Sequence, residues 1–320
     1  MMIFSGKVFR KLGPWASGMS MVAALSAALV ACGGGTTQFE PFAPTRVIAF
    51  GDETSVITSD SRKYSVNALT TADAVDCATQ PIWVQTVATT YSFVFAECNP
   101  GNSLSLQALM RAKAGATVDD LALQVSAQAA ATGFNSKDLV TVLAGANDVL
   151  ALYAQYPKRT QDDLLADARA RGERLAAQVN RLIDLGARVI VATVPDLGVS
   201  PFGTQQKAAF TDTDRAALLT NLTAALNGRM RVKIVNDGRY VGLVLADEMV
   251  QSMVKSPVSF ALTDAATSVC TVALPDCNSK TLVSAGDSAT WLWADATRMA
   301  YGGQARLGLL AQSRAQNNPF

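Results

Sequence analysis

Polar residues that could perform acid–base or anion-binding chemistry follow three apolar runs in this sequence. Glu53 closes a Phe-Gly-Asp-Glu motif, Asn147 lies in a Gly-Ala-Asn-Asp motif, and Asp196 belongs to a Pro-Asp-Leu-Gly motif. Near the end of the chain, Asp295 stands three residues before Arg298. Carboxylates can take up and return protons, whereas amides and guanidinium groups stabilise negative charge. These residues are therefore the first candidates for a functional site.

The absence of histidine restricts that chemistry. None of the 320 residues is histidine, which excludes a Ser-His-Asp triad, a histidine metal site and a histidine pH switch. The formal net charge of +1 gives no electrostatic basis for binding nucleic acid. The five cysteines lack the CxxC spacing of zinc sites, so the sequence predicts neither a metal nor another cofactor.

The apolar runs before these motifs are rich in β-branched residues, which is typical of strands buried on both faces. Between the runs, apolar residues recur at helical spacing. This alternation predicts an α/β domain with a parallel sheet, in which ligands bind at the carboxyl ends of the strands. The expected strands are residues 46–50, 138–144, 187–194 and, as a fourth candidate, 232–235, and the expected helices are residues 161–185 and 211–226.

In their order along the chain, four short motifs resemble those of the SGNH hydrolases, also called the GDSL lipases and esterases. The resemblance places Glu53 at the position of the nucleophilic Ser and Arg298 at that of the base His. Asp295 corresponds to the acid that orients this base. Gly115 and Asn147 correspond to the two donors of the oxyanion hole.

The resemblance implies a flavodoxin-like α/β/α sandwich of three layers, with a mainly parallel sheet of about five strands, over residues 45–320. It also implies ester hydrolysis, but the two residues that perform the chemistry are substituted. A carboxylate has no hydroxyl to activate, and an arginine with a pKa above about 12 cannot serve as a base. The sequence therefore predicts that Ser-His catalysis is lost and that the domain binds a ligand or serves as an envelope interaction module. The alternative is an active esterase, lipase or acylhydrolase that uses a non-standard set of residues.

The two substitutions suggest a direct contact, because the nucleophile and the base of such an enzyme normally touch. We expect Glu53 and Arg298 to form an ion pair, with Asp295 as a second partner of the guanidinium group. Removing one member of a partly buried pair leaves an uncompensated charge. The pair would thus be a structural feature in place of a catalytic one.

Residues next to the motif positions are expected to have structural roles. Asp52 and Asp148 are predicted to hold their loops by hydrogen bonds, and Gly145 opens the Gly-x-Asn-Asp motif. Ser55 could be proposed as a substitute nucleophile, but we expect it to cap a following helix. Lys63 is the nearest lysine in sequence, and a solvated loop is predicted for it.

The first part of the sequence resembles a bacterial lipoprotein precursor. Residues 1–31 combine three basic residues with a short apolar segment at residues 19–30, as in an export signal. The segment ends in Leu-Val-Ala-Cys-Gly, which resembles a lipobox and predicts a lipidated Cys32. Residues 32–44 would form the anchor and a flexible tether. We expect an exported protein held to the membrane at Cys32, on the periplasmic face of the outer membrane, with an acylated glycan or a lipid as its ligand.

Four cysteines remain when Cys32 is set aside, and an even number in an exported chain predicts two disulfides. Three connectivities are open, and proximity in sequence favours Cys77–Cys98 and Cys270–Cys277. The stretch from residue 66 to residue 101 is expected to form strands or loops around the first of these bonds.

Overall fold

A computed structural model of the chain describes residues 42–317 and residue 320. Within them the strands are β1 (Arg46–Gly51), β2 (Ala68–Leu69), β3 (Val75–Asp76), β4 (Ala108–Met110), β5 (Asp138–Leu143), β6 (Arg188–Ala192), β7 (Val241–Val244), β8 (Asp264–Ser268) and β9 (Trp291–Trp293). The α-helices are α1 (Trp83–Thr90), α2 (Val118–Ala131), α3 (Ala146–Tyr153), α4 (Gln161–Asp184), α5 (Pro201–Ala209), α6 (Arg215–Lys233), α7 (Ala246–Lys255) and α8 (Tyr301–Asn317).

Five parallel strands form the central sheet, in the order β4-β1-β5-β6-β7. The predicted α/β class and the sheet of about five strands are therefore confirmed. All six residues of β5 are buried. Such strands are rich in Val and Leu because helices cover both faces of a parallel sheet.

The two faces of the sheet carry separate apolar cores, which gives the predicted three-layer sandwich. Along β1, Val47 and Ala49 belong to the core on one face, and Ile48 and Phe50 belong to the core on the other face. Helices α1, α7 and α8 contribute to the first core, and α2, α3, α4 and α6 contribute to the second.

The predicted strand at residues 232–235 was wrong. Helix α6 continues to Lys233, where the N–H of Ile234 bonds to the carbonyl oxygen of Met230. The leucine spacing on the buried face of α6 extends to Met230, so helical periodicity outweighs the short β-branched run. The strand that follows β6 in the sheet is β7, which begins eight residues beyond the end of α6.

The region from residue 66 to residue 101 contains α1 in addition to the expected short strands. Both predicted disulfides, Cys77–Cys98 and Cys270–Cys277, are confirmed. Because disulfides persist in oxidising compartments, the two bonds indicate an exported protein. None of the helices described for residues 42–317 is long and apolar enough to cross a bilayer. The predicted leader and Cys32 lie outside the described residues.

Lys63 corrects a further prediction, because it does not lie in a solvated loop. Its side chain is fully buried, and Nζ donates hydrogen bonds to the carbonyl oxygens of Cys77 (3.2 Å), Thr79 (2.9 Å) and Gln80 (2.8 Å). Burial lowers the pKa of Lys63 to about 8. The ammonium group thus holds the segment beside the first disulfide through three carbonyl groups.

Candidate functional site

The candidate site lies where three neighbouring strands of the sheet end. Glu53 begins a short 3-10 turn after β1, Gly115 lies in the loop between β4 and α2, and Asn147 is in the first turn of α3, after β5. Because β1 lies between β4 and β5, their carboxyl ends adjoin at one edge of the sheet. The topology thus brings together residues that are as much as 94 positions apart.

The carboxylate of Glu53 is held by the two predicted oxyanion-hole donors. Its Oε2 accepts a hydrogen bond from the backbone N–H of Gly115 at 2.8 Å and another from Nδ2 of Asn147 at 3.0 Å. Nδ2 of Asn147 also donates to the carbonyl oxygen of Ala116 at 3.1 Å, which fixes the orientation of the amide. Glu53 is only 4% exposed. Both donors are therefore engaged by a residue of the chain itself.

The other carboxylate oxygen of Glu53 contacts the guanidinium group of Arg298, as the sequence predicted. Nε of Arg298 donates to Oε1 of Glu53 at 3.0 Å, and Nη2 donates to the same oxygen. Nη1 donates to Oδ2 of Asp295 at 3.0 Å. Oδ1 of Asp295 accepts the backbone N–H groups of Thr297 and Arg298, so this aspartate also shapes the turn that carries the arginine. The guanidinium group therefore bridges two carboxylates.

The charges of this cluster stabilise one another. Burial alone would raise the pKa of Glu53, but the charge of Arg298 and the hydrogen bonds from Asn147 and Gly115 outweigh it, so the pKa lies below its ordinary value. The pKa of Arg298 is raised, because the charges of Glu53 and Asp295 outweigh its burial. Glu53 is therefore an anion and Arg298 a cation at neutral pH.

Two glycines, at the ends of β1 and β5, allow close packing of the backbone around the site. Gly51 has a φ of +126°, and a Cβ there would lie 1.8 Å from the carbonyl oxygen of Leu143. Gly145 has a φ of +122°, and a Cβ there would lie 2.8 Å from Cγ2 of Val194. Larger residues would separate β1 from β5 or displace α3, and with it Asn147.

Asp52 and Asp148 hold their loops by hydrogen bonds, which confirms their predicted roles. Oδ1 of Asp52 accepts the N–H of Thr54 at 2.9 Å and thereby caps the turn that carries Glu53. Oδ2 of Asp148 accepts the N–H of Val118 at 2.9 Å, which ties α3 to the start of α2. Burial and the neighbouring charge of Glu53 raise the pKa of Asp52 to about 7.

The prediction that Ser55 caps a following helix was wrong. Residues 53–55 form a single 3-10 turn, and the next helix, α1, begins only at Trp83. Ser55 is fully buried, and its Oγ accepts a hydrogen bond from Nε1 of Trp83 at 3.1 Å. Its hydroxyl group therefore serves to position the turn against α1.

Other buried side chains support the site through hydrogen bonds to the backbone. Oε1 and Nε2 of Gln124 pair with the backbone N–H and carbonyl oxygen of Gly51, each at 2.9 Å. Gln304 accepts the N–H of Trp83 at 3.1 Å and donates to the carbonyl oxygen of Thr54 at 3.4 Å. These contacts join residues up to 250 positions apart, which no local pattern encodes.

The described part of the chain was searched for clusters of the usual metal-ligating side chains. Among residues 42–317 and residue 320, no group of three or more His, Cys, Asp or Glu side chains is arranged to hold one. The carboxylates of the candidate site bind N–H donors and a guanidinium group. The arrangement is therefore suited to fixing a carboxylate.

The family of the chain follows from a sequence match to residues 69–244. These residues match the family described as GDSL-like Lipase/Acylhydrolase, so the chain belongs to this family. The matched segment includes Gly115 and Asn147. It does not reach Glu53, Asp295 or Arg298. Among curated proteins, none matches this chain.

Two solved structures match most of this chain at low sequence identity. An acetylxylan esterase from Geobacillus stearothermophilus is 15% identical, with a TM-score of 0.42, and the similarity covers 86% of this chain and 96% of the esterase. A member of the lipolytic G-D-S-L family from Veillonella parvula is 9% identical, with a TM-score of 0.40, over 83% of this chain and 95% of that protein. Family membership rests on the sequence match.

The contact between Glu53 and Arg298 predicts strong coupling in a double-mutant cycle. We expect Arg298→Ala to lower the free energy of unfolding by about 3 kcal/mol, because it leaves a buried carboxylate without its cation. Glu53→Ala is expected to cost less, since Arg298 keeps Asp295 as a partner. The loss of unfolding free energy in the double variant should be smaller than the sum of the losses in the two single variants. Urea denaturation should give a coupling energy of about 2 kcal/mol.

The exposed pair of Arg174 and Asp119 is a matched control for that cycle. Its side chains are 47% and 70% exposed, so its coupling energy should stay below about 1 kcal/mol. Additive losses for Glu53→Ala and Arg298→Ala would contradict the account of a coupled buried pair.

The raised pKa of Asp52 predicts a pH-dependent gain of stability in Asp52→Asn. The folded pKa of about 7 lies above the ordinary 3.8, so the native state holds this proton more tightly than the unfolded chain does. The corresponding stabilisation is present below about pH 4 and is lost as the pH rises through 7. Asparagine keeps the acceptor for Thr54 and does not titrate. The free energy of unfolding of the variant should therefore rise relative to that of the wild type between pH 4 and 7, by about 4 kcal/mol in total at pH 8.

Asp120→Asn is the control for this prediction, because the pKa of Asp120 is lowered and not raised. Its free energy of unfolding would be measured over the same pH range. Hydrogen bonds from the N–H and the hydroxyl of Thr117 lower the pKa of Asp120. Its stabilising contribution is complete above the ordinary pKa, so the difference from the wild type should stay constant from pH 5 to 8. A constant difference for Asp52→Asn as well would contradict the raised pKa of Asp52.

Proposed function

We propose that this chain is an exported GDSL-family pseudoenzyme, which binds a ligand at the cell envelope and does not hydrolyse esters by a Ser-His mechanism. The observation that carries the proposal is the position of the Glu53 carboxylate. It occupies the N–H of Gly115 and the amide of Asn147 and is neutralised by Arg298. An ester carbonyl would need both donors at once.

The residues available for nucleophilic chemistry support the same proposal. Attack by Glu53 on an ester would give an anhydride, and Arg298 keeps its proton at neutral pH. Ser55 has a hydroxyl group, but it is fully buried and bonded to the indole of Trp83. General-base catalysis needs a group whose pKa lies near the operating pH and which reaches the reacting proton. Asp52 has such a pKa but is 1% exposed and follows the strand directly.

In this proposal, the residues at the family's motif positions occupy the expected places in the fold but have different roles. Gly115 and Asn147 are oxyanion-type donors that now hold an internal carboxylate. Asp295 orients Arg298, as the family's acid orients its base. Glu53 takes the position of the nucleophile and fills the site.

The proposal also includes attachment to a membrane. Residues 1–31 would be removed as a leader, and Cys32 would carry the lipid, with the segment to residue 44 as a tether. The disulfides, which indicate export, support this localisation. The periplasmic face of the outer membrane remains our proposal, as does an acylated glycan or lipid as ligand.

Family membership favours a second candidate, an active ester hydrolase that uses other groups. The two candidates differ in their reaction with a serine-reactive organophosphonate. Covalent labelling of Ser55 would support the enzyme, whereas an unlabelled chain would support the pseudoenzyme.

Hydrolysis of p-nitrophenyl acetate tests the proposal directly. We expect the wild type to give the rate of buffer alone. The double variant Glu53→Ser/Arg298→His should gain at least about 100-fold, because Asp295, Gly115 and Asn147 are already placed to serve a nucleophile and a base. Loss of either group costs a triad enzyme about 10⁴- to 10⁶-fold, so a partial recovery is measurable.

The single variant Glu53→Ser is the matched control, since it supplies a hydroxyl group without a base. Its rate should stay near that of buffer. Wild-type turnover well above both buffer and Glu53→Ala would contradict the proposal and support the active hydrolase.

A further inference from the structure

The segments that lead into the strands of the central sheet form one surface, at the opposite end of the sheet from the candidate site. All five strands are parallel, so their amino ends lie at the same end. The N–H of Thr45 donates to the carbonyl oxygen of Lys137 at 2.9 Å, and the N–H of Val235 donates to Oδ1 of Asn180 at 2.9 Å. We call this surface the amino-end face; it consists of residues 42–45, 99–107, 133–137, 184–187 and 232–240.

Large apolar side chains are exposed along the whole width of this face. Ten such side chains are exposed among the described residues, and five of them belong to the amino-end face: Leu104, Leu106, Leu185, Val232 and Val235. The first two precede β4 at one edge of the sheet, and the last two precede β7 at the other edge. With neighbouring strands about 4.8 Å apart, the row is about 20 Å wide. Single apolar residues are ordinary on a surface, but a row of them marks a contact site.

Leu104 is presented by a loop of defined conformation. The N–H of Ser103 donates to Oδ1 of Asn99 at 2.8 Å, and Nδ2 of Asn99 donates to the carbonyl oxygen of Ser103 at 3.0 Å. The preceding residue, Cys98, is fixed by its disulfide to Cys77. The side chain of Leu104 is nonetheless fully exposed. Because exposure of a leucine to water is unfavourable, this loop favours an apolar environment.

The chain enters the domain at the same face. Cζ of Arg188 lies 5.4 Å from the centre of the Phe42 ring and 5.0 Å from the centre of the Tyr240 ring, so Phe42 is held where β6 and β7 begin. Ten positions separate Phe42 from Cys32. A chain of that length spans at most about 35 Å. A bilayer attached at Cys32 would therefore lie within reach of the amino-end face.

The charges of the amino-end face largely cancel. Lys233 pairs with Glu173 at 3.3 Å, and Arg239 pairs with Asp237 at 2.6 Å. Two further exposed charges of the face have opposite signs, those of Lys137 and Asp184. The face therefore offers little net charge to a charged partner, and its apolar side chains are the groups that can drive a contact.

We infer that the amino-end face rests on the lipid bilayer, with Leu104 and Leu106 inserted among the acyl chains. Each inserted leucine favours the docked domain about tenfold or more. This inference rests on the proposed function in that the lipid at Cys32 brings the bilayer to the domain. The candidate site then points away from the membrane, because it lies about 20 Å from this face, at the other end of strands of up to six residues.

Quenching of a fluorophore by membrane lipids tests the inference. The full chain, purified after export, is reconstituted in phosphatidylcholine vesicles whose acyl chains carry a nitroxide quencher. A thiol-reactive fluorophore is placed on Leu104→Cys, Val235→Cys or Phe210→Cys, since the four cysteines of the domain are bonded in disulfides. We expect strong quenching at residues 104 and 235. Residue 210 is the exposed control, because it precedes α6 at the opposite end of that helix from Val232, and it should not be quenched.

Charged substitutions at the exposed leucines show which side chains hold the face. With the fluorophore on residue 235, Leu104→Asp/Leu106→Asp should lower the ratio of docked to undocked protein at least about tenfold. Leu123→Asp/Leu309→Asp is the matched control, since it adds the same charge at exposed leucines on α2 and α8, which flank the sheet. This variant should be quenched as strongly as the protein without it.

Three results would overturn the inference: no quenching at residue 104, as a second copy or a protein partner on this face would give; equal quenching at residues 104 and 210; or no effect of Leu104→Asp/Leu106→Asp. Quenching that appears only when phosphatidylglycerol is added would overturn it as well, because charge would then hold the face in place of inserted leucines.

Failure of the proposed lipid anchor has a separate readout. The wild type should take up no fluorophore, since a lipidated Cys32 has no free thiol. A labelled Cys32 would overturn the anchor, and quenching at residue 104, with the wild-type signal subtracted, would still decide whether the amino-end face contacts the bilayer.

Discussion

The buried charge of Glu53 is the constraint on which the organisation of the site depends. A carboxylate that is 4% exposed is stable as an anion only if donors and an opposite charge replace the water it has lost. Gly115, Asn147 and Arg298 supply them from three separate parts of the chain. One ionised side chain therefore holds together the turn after β1, the loop after β4, the first turn of α3 and the turn before α8.

This constraint explains why the two unusual residues occur together. An acid at residue 53 without a cation would be a buried and uncompensated charge, and an arginine at residue 298 without that acid would have lost one of its two carboxylates. The donors that would stabilise an oxyanion in a hydrolase stabilise a permanent carboxylate equally well, since both are negatively charged oxygens. The same donors can thus hold either kind of negative charge without a change in the architecture of the site.

The sequence was sufficient to predict the features that depend on a local pattern or on the order of the motifs. Buried strands were recognised from their β-branched runs, and the contact between Glu53 and Arg298 was predicted because two motif positions had changed to opposite charges. The predictions that were wrong concern residues whose structure depends on partners far away in the sequence or on a neighbouring pattern. Lys63 appeared to be a solvated lysine because the carbonyl groups that surround its ammonium become its neighbours only after folding. The run at residues 232–235 has β-branched residues, but it ends a helix whose buried face was already defined by its leucines.

The most direct test of the central claim is whether free acetate can replace the Glu53 carboxylate. Glu53→Ala removes a group of the size of acetate and leaves the N–H of Gly115, the amide of Asn147 and the guanidinium group of Arg298 without it. Thermal unfolding of this variant should shift to higher temperature as sodium acetate is added, and more than the wild type does at equal ionic strength in sodium chloride, because acetate binds only the folded variant. The same shift in both proteins would contradict the claim that the site is a carboxylate-binding site filled by Glu53.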